Sequence, residues 1–342
     1  GALRACMDQR AVFKAAGWKD EEAKALLAAA RRHAQDASLQ EALRLAREGL
    51  TMCQEAKDQH GEAAAWLTIC DLHANFGFDY SDAMSAAAHA RRLSKALGDA
   101  LGEARALKAT AEVLVAQGAT EQAAVVRAKE ALEVCLQVGD RQGEAFGLQA
   151  IADVFQVLVR EDTDSGLAPR PAILEEALNF TLLAAAAHGE LRDAKSQATT
   201  LLQLSHLYVQ DGDGDAALQA AKESKDLAEK FEEMTVEASA LLAVADAHMV
   251  REAWQEAKEA AEDARDMHQD MQDPEGESDA QELIDRAELQ LSKQAQEKGG
   301  SAASAKPPAA AKKRVERGLW TTVIEAMEKA KLFSKEAAER RR

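Results

Sequence analysis

The chain has 342 residues and a net charge of −17 at pH 7, with 47% apolar but only 4% aromatic residues. Strong helix formers dominate and β-branched residues are sparse, which excludes a β-rich core and points to helices packed through small side chains. No apolar run approaches the roughly 20 residues of a membrane span, and the acidic balance excludes nucleic acid as a partner of the body of the chain.

Residues 1–19 read as a helical lead-in. From residue 20 to 298 the sequence repeats. GDRQGEAFGLQAIADV, Gly139 to Val154, has an earlier counterpart in GDALGEARALKATAEV, Gly98 to Val113, and another in KDQHGEAAAWLTICDL, Lys57 to Leu72. Aligned on this register, Gly61, Gly102, Gly143, Ser196, Val236 and Gly276 follow one another at steps of 41, 41, 53, 40 and 40. A fixed period of this length is the mark of a stacked-repeat architecture. The long step holds an insertion at 160–171, REDTDSGLAPRP, whose acids, glycine and prolines predict a loop.

Each unit carries two apolar stripes of helical spacing around a polar turn, so each is a helical hairpin. In the first helix, Leu26, Trp66, Leu107, Leu148, Leu201 and Leu241 share a column, and four residues on stand the small Ala30, Cys70, Ala111, Ala152, Ser205 and Ala245. In the second helix one column is alanine throughout, at Ala42, Ala83, Ala124, Ala177, Ala217 and Ala257. Seven residues on it reads Gly49, Ala90, Ala131, Ala184, Ser224 and Ala264. Small residues at helix crossings let the backbones approach to the short end of the usual 8 to 10 Å range.

A large residue, a small one four on, and two small residues seven apart in the partner helix resemble the tetratricopeptide repeat. The 40- or 41-residue unit, with its GDxxGEA start, is similar to the extended repeats of kinesin light chain and Pins-type polarity adaptors. The family's proline after the second helix is missing here. The resemblance implies an all-α fold: a right-handed superhelical solenoid of six antiparallel hairpins, closed by a capping helix that starts near Gly276. At the joints between units, Gly98 and Gly139 predict a left-handed residue, and Asp58, Asp99, Asp140, Asp193 and Asp273 predict the cap of the next helix.

The resemblance also implies that a peptide lies along the first helices. Directly after the small column stand Arg31, Asp71, Glu112, Asp153, His206 and Asp246; three residues before it stand Leu27, Leu67, Lys108, Gln149, Leu202 and Leu242. The expected groove is therefore an acidic ladder (Asp71, Glu112, Asp153, Asp246, with His206) flanked by Leu67, Lys108, Gln149, Leu202 and Leu242. Its ligand is a protein segment with spaced Lys or Arg and apolar anchors, charge setting selectivity and on-rate more than affinity.

Motifs for catalysis are lacking: there is no Gly-x-Ser-x-Gly elbow, no phosphate loop and no His-Glu-x-x-His, so the chain reads as no enzyme and without cofactor. No metal is expected either. DGDGD at Asp211–Asp215 imitates a calcium loop, but its sixth and twelfth places are Ala216 and Lys222. His73 and His248 occupy the place of Leu114, Phe155 and Tyr208 and read as packing residues. Cys6, Cys53, Cys70 and Cys135 stand apart without a C-x-x-C pair, which favours small packing residues in the cytoplasm or another reducing compartment, a removed targeting peptide being compatible with the same pattern.

Residues 299–317 form a Gly/Ser/Ala/Pro/Lys linker. Residues 318–342 follow with Leu319, Trp320, Val323, Ile324 and Met327 on one helical face, a basic amphipathic helix. From 299 to 342 there are 11 Lys and Arg against 5 Asp and Glu, a balance of +6, against 31 and 54, or −23, for residues 1–298. The tail is expected to dock on a partner protein or on the acidic groove; its interspersed glutamates disfavour a membrane surface. The function that follows is a scaffold or adaptor for protein segments, the alternative being a structural subunit of a large assembly held by outer surfaces and tail.

Overall fold

A computed structural model describes residues 2–35, 38–77 and 79–300, whose regular elements are all helical. The linker beyond residue 300 and the segment with Leu319, Trp320, Val323, Ile324 and Met327 lie outside the described residues. Contacts divide the chain into two compact units, Gly1–Leu158 and Val159–Arg342. Unit 1 contains α1 (Ala2–Ala16), α2 (Lys19–Gln35), α3 (Leu39–Ala56), α4 (Gln59–Leu72) ending in a π-turn (His73–Gly77), α5 (Tyr80–Leu97), α6 (Ala100–Ala116), α7 (Glu121–Val138) and most of α8 (Arg141–Asp164). Unit 2 contains α9 (Pro171–Glu190), α10 (Ala194–Asp211), α11 (Gly214–Lys230), α12 (Met234–Val250), α13 (Trp254–Asp270) and α14 (Pro274–Gly300).

Within each unit, consecutive helices pack as antiparallel hairpins, and the small-residue columns lie where they cross. All six alanines from Ala42 to Ala257 are buried, as are Ala30, Cys70, Ala111, Ala152, Ser205 and Ala245. Where a column holds serine, the hydroxyl donates across the crossing: Ser205 to the Ala217 carbonyl at 2.9 Å and Ser224 to the Ala198 carbonyl at 2.7 Å. The large column supplies the apolar payload, Leu26, Leu107 and Leu201 being buried. Each such leucine contributes about 2 kcal/mol relative to exposure. Trp66, in the same column, is only partly buried and stacks on His89 with ring centroids 4.6 Å apart.

The insertion is shorter than the sequence suggests. α8 continues through Asp164, and only 165–170 are irregular before Pro171 opens α9 at a position where a missing N–H costs nothing. Gly166 ends α8 at φ 72°, its N–H donating to the Thr163 carbonyl and that of Leu167 to the Asp162 carbonyl. The Asp162 carboxylate then holds the returning chain through the Arg170 Nε, at 3.0 Å.

The joints between hairpins follow one pattern. The residue before each cap lies in the left-handed region: Lys57, Gly98, Gly139, Arg192, Glu232 and Gln272, with φ between 56° and 72°. The next residue, Asp58, Asp99, Asp140, Asp193, Glu233 or Asp273, donates its N–H to the carbonyl five residues earlier, on Cys53, Ser94, Cys135, His188, Ala228 or His268, at 2.9 to 3.3 Å. The aspartates then cap the following helix, Asp99 Oδ1 accepting from the Gly102 N–H at 2.8 Å and Asp58 Oδ1 from Gly61 at 3.0 Å. Glycine follows the cap for a steric reason: a Cβ on Gly102 would stand 2.6 Å from Ser94 Oγ, and one on Gly143 would stand 2.6 Å from Cys135 Sγ. The GDxxGEA signature is thus a joint into which the preceding helix inserts a side chain.

Candidate functional site

In unit 1, α4, α6 and α8 carry Leu67 and Asp71, Lys108 and Glu112, and Gln149 and Asp153 in the same repeat columns. The small column behind them sets their direction: Cys70 and Ala111 are buried against the second helices, so the residue that follows each one turns outward. Asp71 and Asp153 are half-buried and Glu112 is exposed. Leu67 packs at the rim of the core, and Leu27 beneath it is buried.

The acids are not an unbroken ladder. Lys108 ion-pairs with Glu112 one turn along α6 and reaches across to Asp153 on α8, its Nζ 3.0 Å from Oδ2. Gln149 donates to the other Asp153 oxygen at 2.7 Å. Burial works against the Lys108 charge, but Asp153 and Glu112 outweigh it and hold its pKa above the ordinary lysine value. Lys108, read from sequence as a flank of the expected groove, pairs with two of the acids expected there.

Asp71 differs from its neighbours. Among the described residues it has no hydrogen bond and no ion pair within 4 Å; Arg31, whose charge acts on it, donates its Nη2 to Thr68 Oγ1 at 2.8 Å instead. Burial, reinforced by the Glu112 charge and opposed by Arg31 and Lys108, pushes the Asp71 carboxyl up to about 6. Such a carboxyl is half-desolvated and lacks a counter-charge in contact.

In unit 2 the same columns place Leu202 and His206 on α10 and Leu242 and Asp246 on α12. Leu202 and Leu242 pack partly against the cluster of Ala243, Val244 and Ile284, and His206 is exposed. Asp246 resembles Asp71: half-buried, without hydrogen bond or ion pair among the described residues, its carboxyl raised by burial, with Arg286 opposing and Glu282 and Asp279 adding to the shift. Among the described residues, Asp71 in unit 1 and Asp246 in unit 2 are thus incompletely neutralised carboxylates in the same repeat column.

The thiols of Cys53, Cys70 and Cys135 are buried, and burial pushes them up to about 11, 12 and 11, so they stay protonated. No helix among the described residues is long and apolar enough to cross a membrane.

No family model and no curated protein matches the chain. Solved structures do. A signal-transduction ATPase with a tetratricopeptide-repeat sensor, from Pyrococcus horikoshii, aligns at TM-score 0.55 and 12% identity over 82% of this chain and 42% of that one. A Rap protein complexed with competence and sporulation factor aligns at TM-score 0.51 and 13% identity, over 81% and 76%. BtubC from P. vanneervenii aligns at TM-score 0.50 and 15% identity, over 86% and 99%. At these identities the likeness is one of fold, and the fold is the tetratricopeptide type of helical repeat.

Proposed function

We propose that the chain is a non-catalytic protein-interaction scaffold that binds basic or basic-apolar segments along the inner faces of its first helices. The observation that carries this is the pair Asp71 and Asp246, one in each unit, in the same repeat column, each half-buried beside leucines and without a contacting counter-charge. A Lys or Arg from a ligand would supply that charge, and Leu67, Leu202 and Leu242 would take apolar side chains. The Rap protein of the same fold is seen complexed with a factor, which supports reading this fold as a binder of other chains.

The proposal narrows the acidic ladder to two contact points, because Glu112 and Asp153 already hold Lys108. It is tested by fluorescence anisotropy with a labelled peptide of alternating Lys and Leu. Asp71→Asn and Asp246→Asn are expected each to weaken binding about tenfold, the loss of one charge-assisted hydrogen bond, and to flatten its salt dependence. Affinity unchanged in both variants would overturn the reading.

The charge of residues 299–342, opposite to that of residues 1–298, supports a tail that competes for these faces or docks on the partner. Truncation after Lys298 is then expected to raise affinity for the basic peptide if the tail competes in cis; unchanged affinity assigns the tail to the partner.

A further inference from the structure

We propose a divalent transition-metal site, of zinc type, at the turn between α4 and α5 in unit 1, made by His73, Asp79 and Asp82. One nitrogen and two carboxylate oxygens lie within 4.8 Å of one another there. The set mixes donors that Zn²⁺ takes readily, imidazole and carboxylate, and leaves open positions for water. This inference stands apart from the peptide-binding faces and does not depend on them.

The His73 side chain is the observation that asks for a ligand. It is 9% exposed, and its Nε2 faces the Asp82 Oδ2 at 3.9 Å, too far for a hydrogen bond. It makes no hydrogen bond to any other described side chain. The positions are also held: the Asp79 N–H donates to the His73 carbonyl at 3.0 Å, and Asp79 Oδ1 accepts from the Asp82 N–H at 3.1 Å. Oδ2 of Asp79 is left for a metal. The Asp82 side chain is 61% exposed, so it has room to rotate toward an ion held at about 2.0 to 2.2 Å.

The other hairpins act as internal controls. At the equivalent places stand His33, Ser38 and Glu41 in the first, Leu114, Thr120 and Ala123 in the third, Tyr208, Asp213 and Ala216 in the fifth, and His248, Ala253 and Glu256 in the sixth. Only the second hairpin combines imidazole with two aspartates. It is also the one whose first helix ends in a π-turn, His73–Gly77.

The test titrates Zn²⁺ into the full chain, stripped with chelator, by calorimetry, with Co²⁺ absorption as a report on coordination. One site is expected. His73→Leu and Asp82→Ala each install the residue of the third hairpin at that place, so the fold should tolerate them; circular dichroism confirms it. Each should weaken binding about tenfold or more, ligand loss costing at least what loss of a supporting group does, whereas His248→Tyr should leave it unchanged. A wild-type chain that binds no Zn²⁺, or equal binding in wild type, His73→Leu and Asp82→Ala, would overturn the site.

Discussion

In unit 1 the three joints place Lys57, Gly98 and Gly139 in the left-handed region over Cys53, Ser94 and Cys135; in unit 2 Arg192, Glu232 and Gln272 stand there over His188, Ala228 and His268. The backbone path and its hydrogen bonds are the same in both. What changes is how volume is shared across the joint. Unit 1 sets thiols and a hydroxyl against Gly61, Gly102 and Gly143. In unit 2 the pairs vary: His268 stands against Gly276 as in unit 1, while the register pairs Ala228 with Val236, the larger residue being on the following helix. The joint is therefore specified by the pair, which a residue-by-residue consensus would miss.

The strongest way to break this correspondence is Gly143→Val. The new side chain meets Cys135 Sγ and Asp140 Oδ2 at 2.6 and 2.8 Å counted from its Cβ alone, and overpacking of this kind costs about 1–3 kcal/mol. Cys135→Ala in the same chain copies the Ala228–Val236 pair and is expected to restore at least about 1 kcal/mol, a coupling measurable by a double-mutant cycle in urea. Additive effects would show that the joints do not trade volume.

A smaller effect separates the units by backbone. Gly139→Ala places a Cβ at φ 72°, with no atom within 4 Å to clash, so its cost of about 1 kcal/mol is conformational alone. Glu232→Gly, the reverse exchange in unit 2, is expected to be neutral or stabilising by less than about 1 kcal/mol, because relief of the left-handed strain is offset by glycine's freedom in the unfolded chain. Thermal melts of both variants check the pair; a destabilising Glu232→Gly would mean that the glutamate side chain contributes to the joint.

The helical hairpins were legible because the columns are strictly local: period 3.6 within a helix, 40 or 41 between units, alanine at every crossing. The aspartate caps were legible for the same reason. Four of the six left-handed residues were not, since Lys57, Arg192, Glu232 and Gln272 adopt a φ that the surrounding hydrogen bonds impose and that their side chains do not announce. The Lys108–Asp153 pair was hidden differently. It joins residues 45 positions apart, and a carboxylate column read on its own looks free until the cation beside it is placed. His73 was masked by its own register, which matches it with leucine, phenylalanine and tyrosine elsewhere.

The smallest effect concerns Asp71 in unit 1. Its carboxyl, at about 6 in the folded chain against an ordinary 3.8, binds its proton more tightly folded than unfolded. Between about pH 4 and pH 6 the folded state therefore holds the extra proton, and stability falls as pH rises through that window; above it the full cost of the buried charge is present. Asp71→Asn removes the charge while keeping the shape. It is expected to stabilise the chain at pH 7 by on the order of 1 kcal/mol, reduced from the full shift by the partial exposure of the group, and to have no effect below about pH 4. Denaturation midpoints across this range check the sign. A carboxylate whose job is to hold the repeats together, as Asp99 does at its cap, would show the opposite, a loss on replacement. A gain in stability from Asp71→Asn, paired with weaker binding of the basic peptide, would mark Asp71 as kept for a partner and not for the fold.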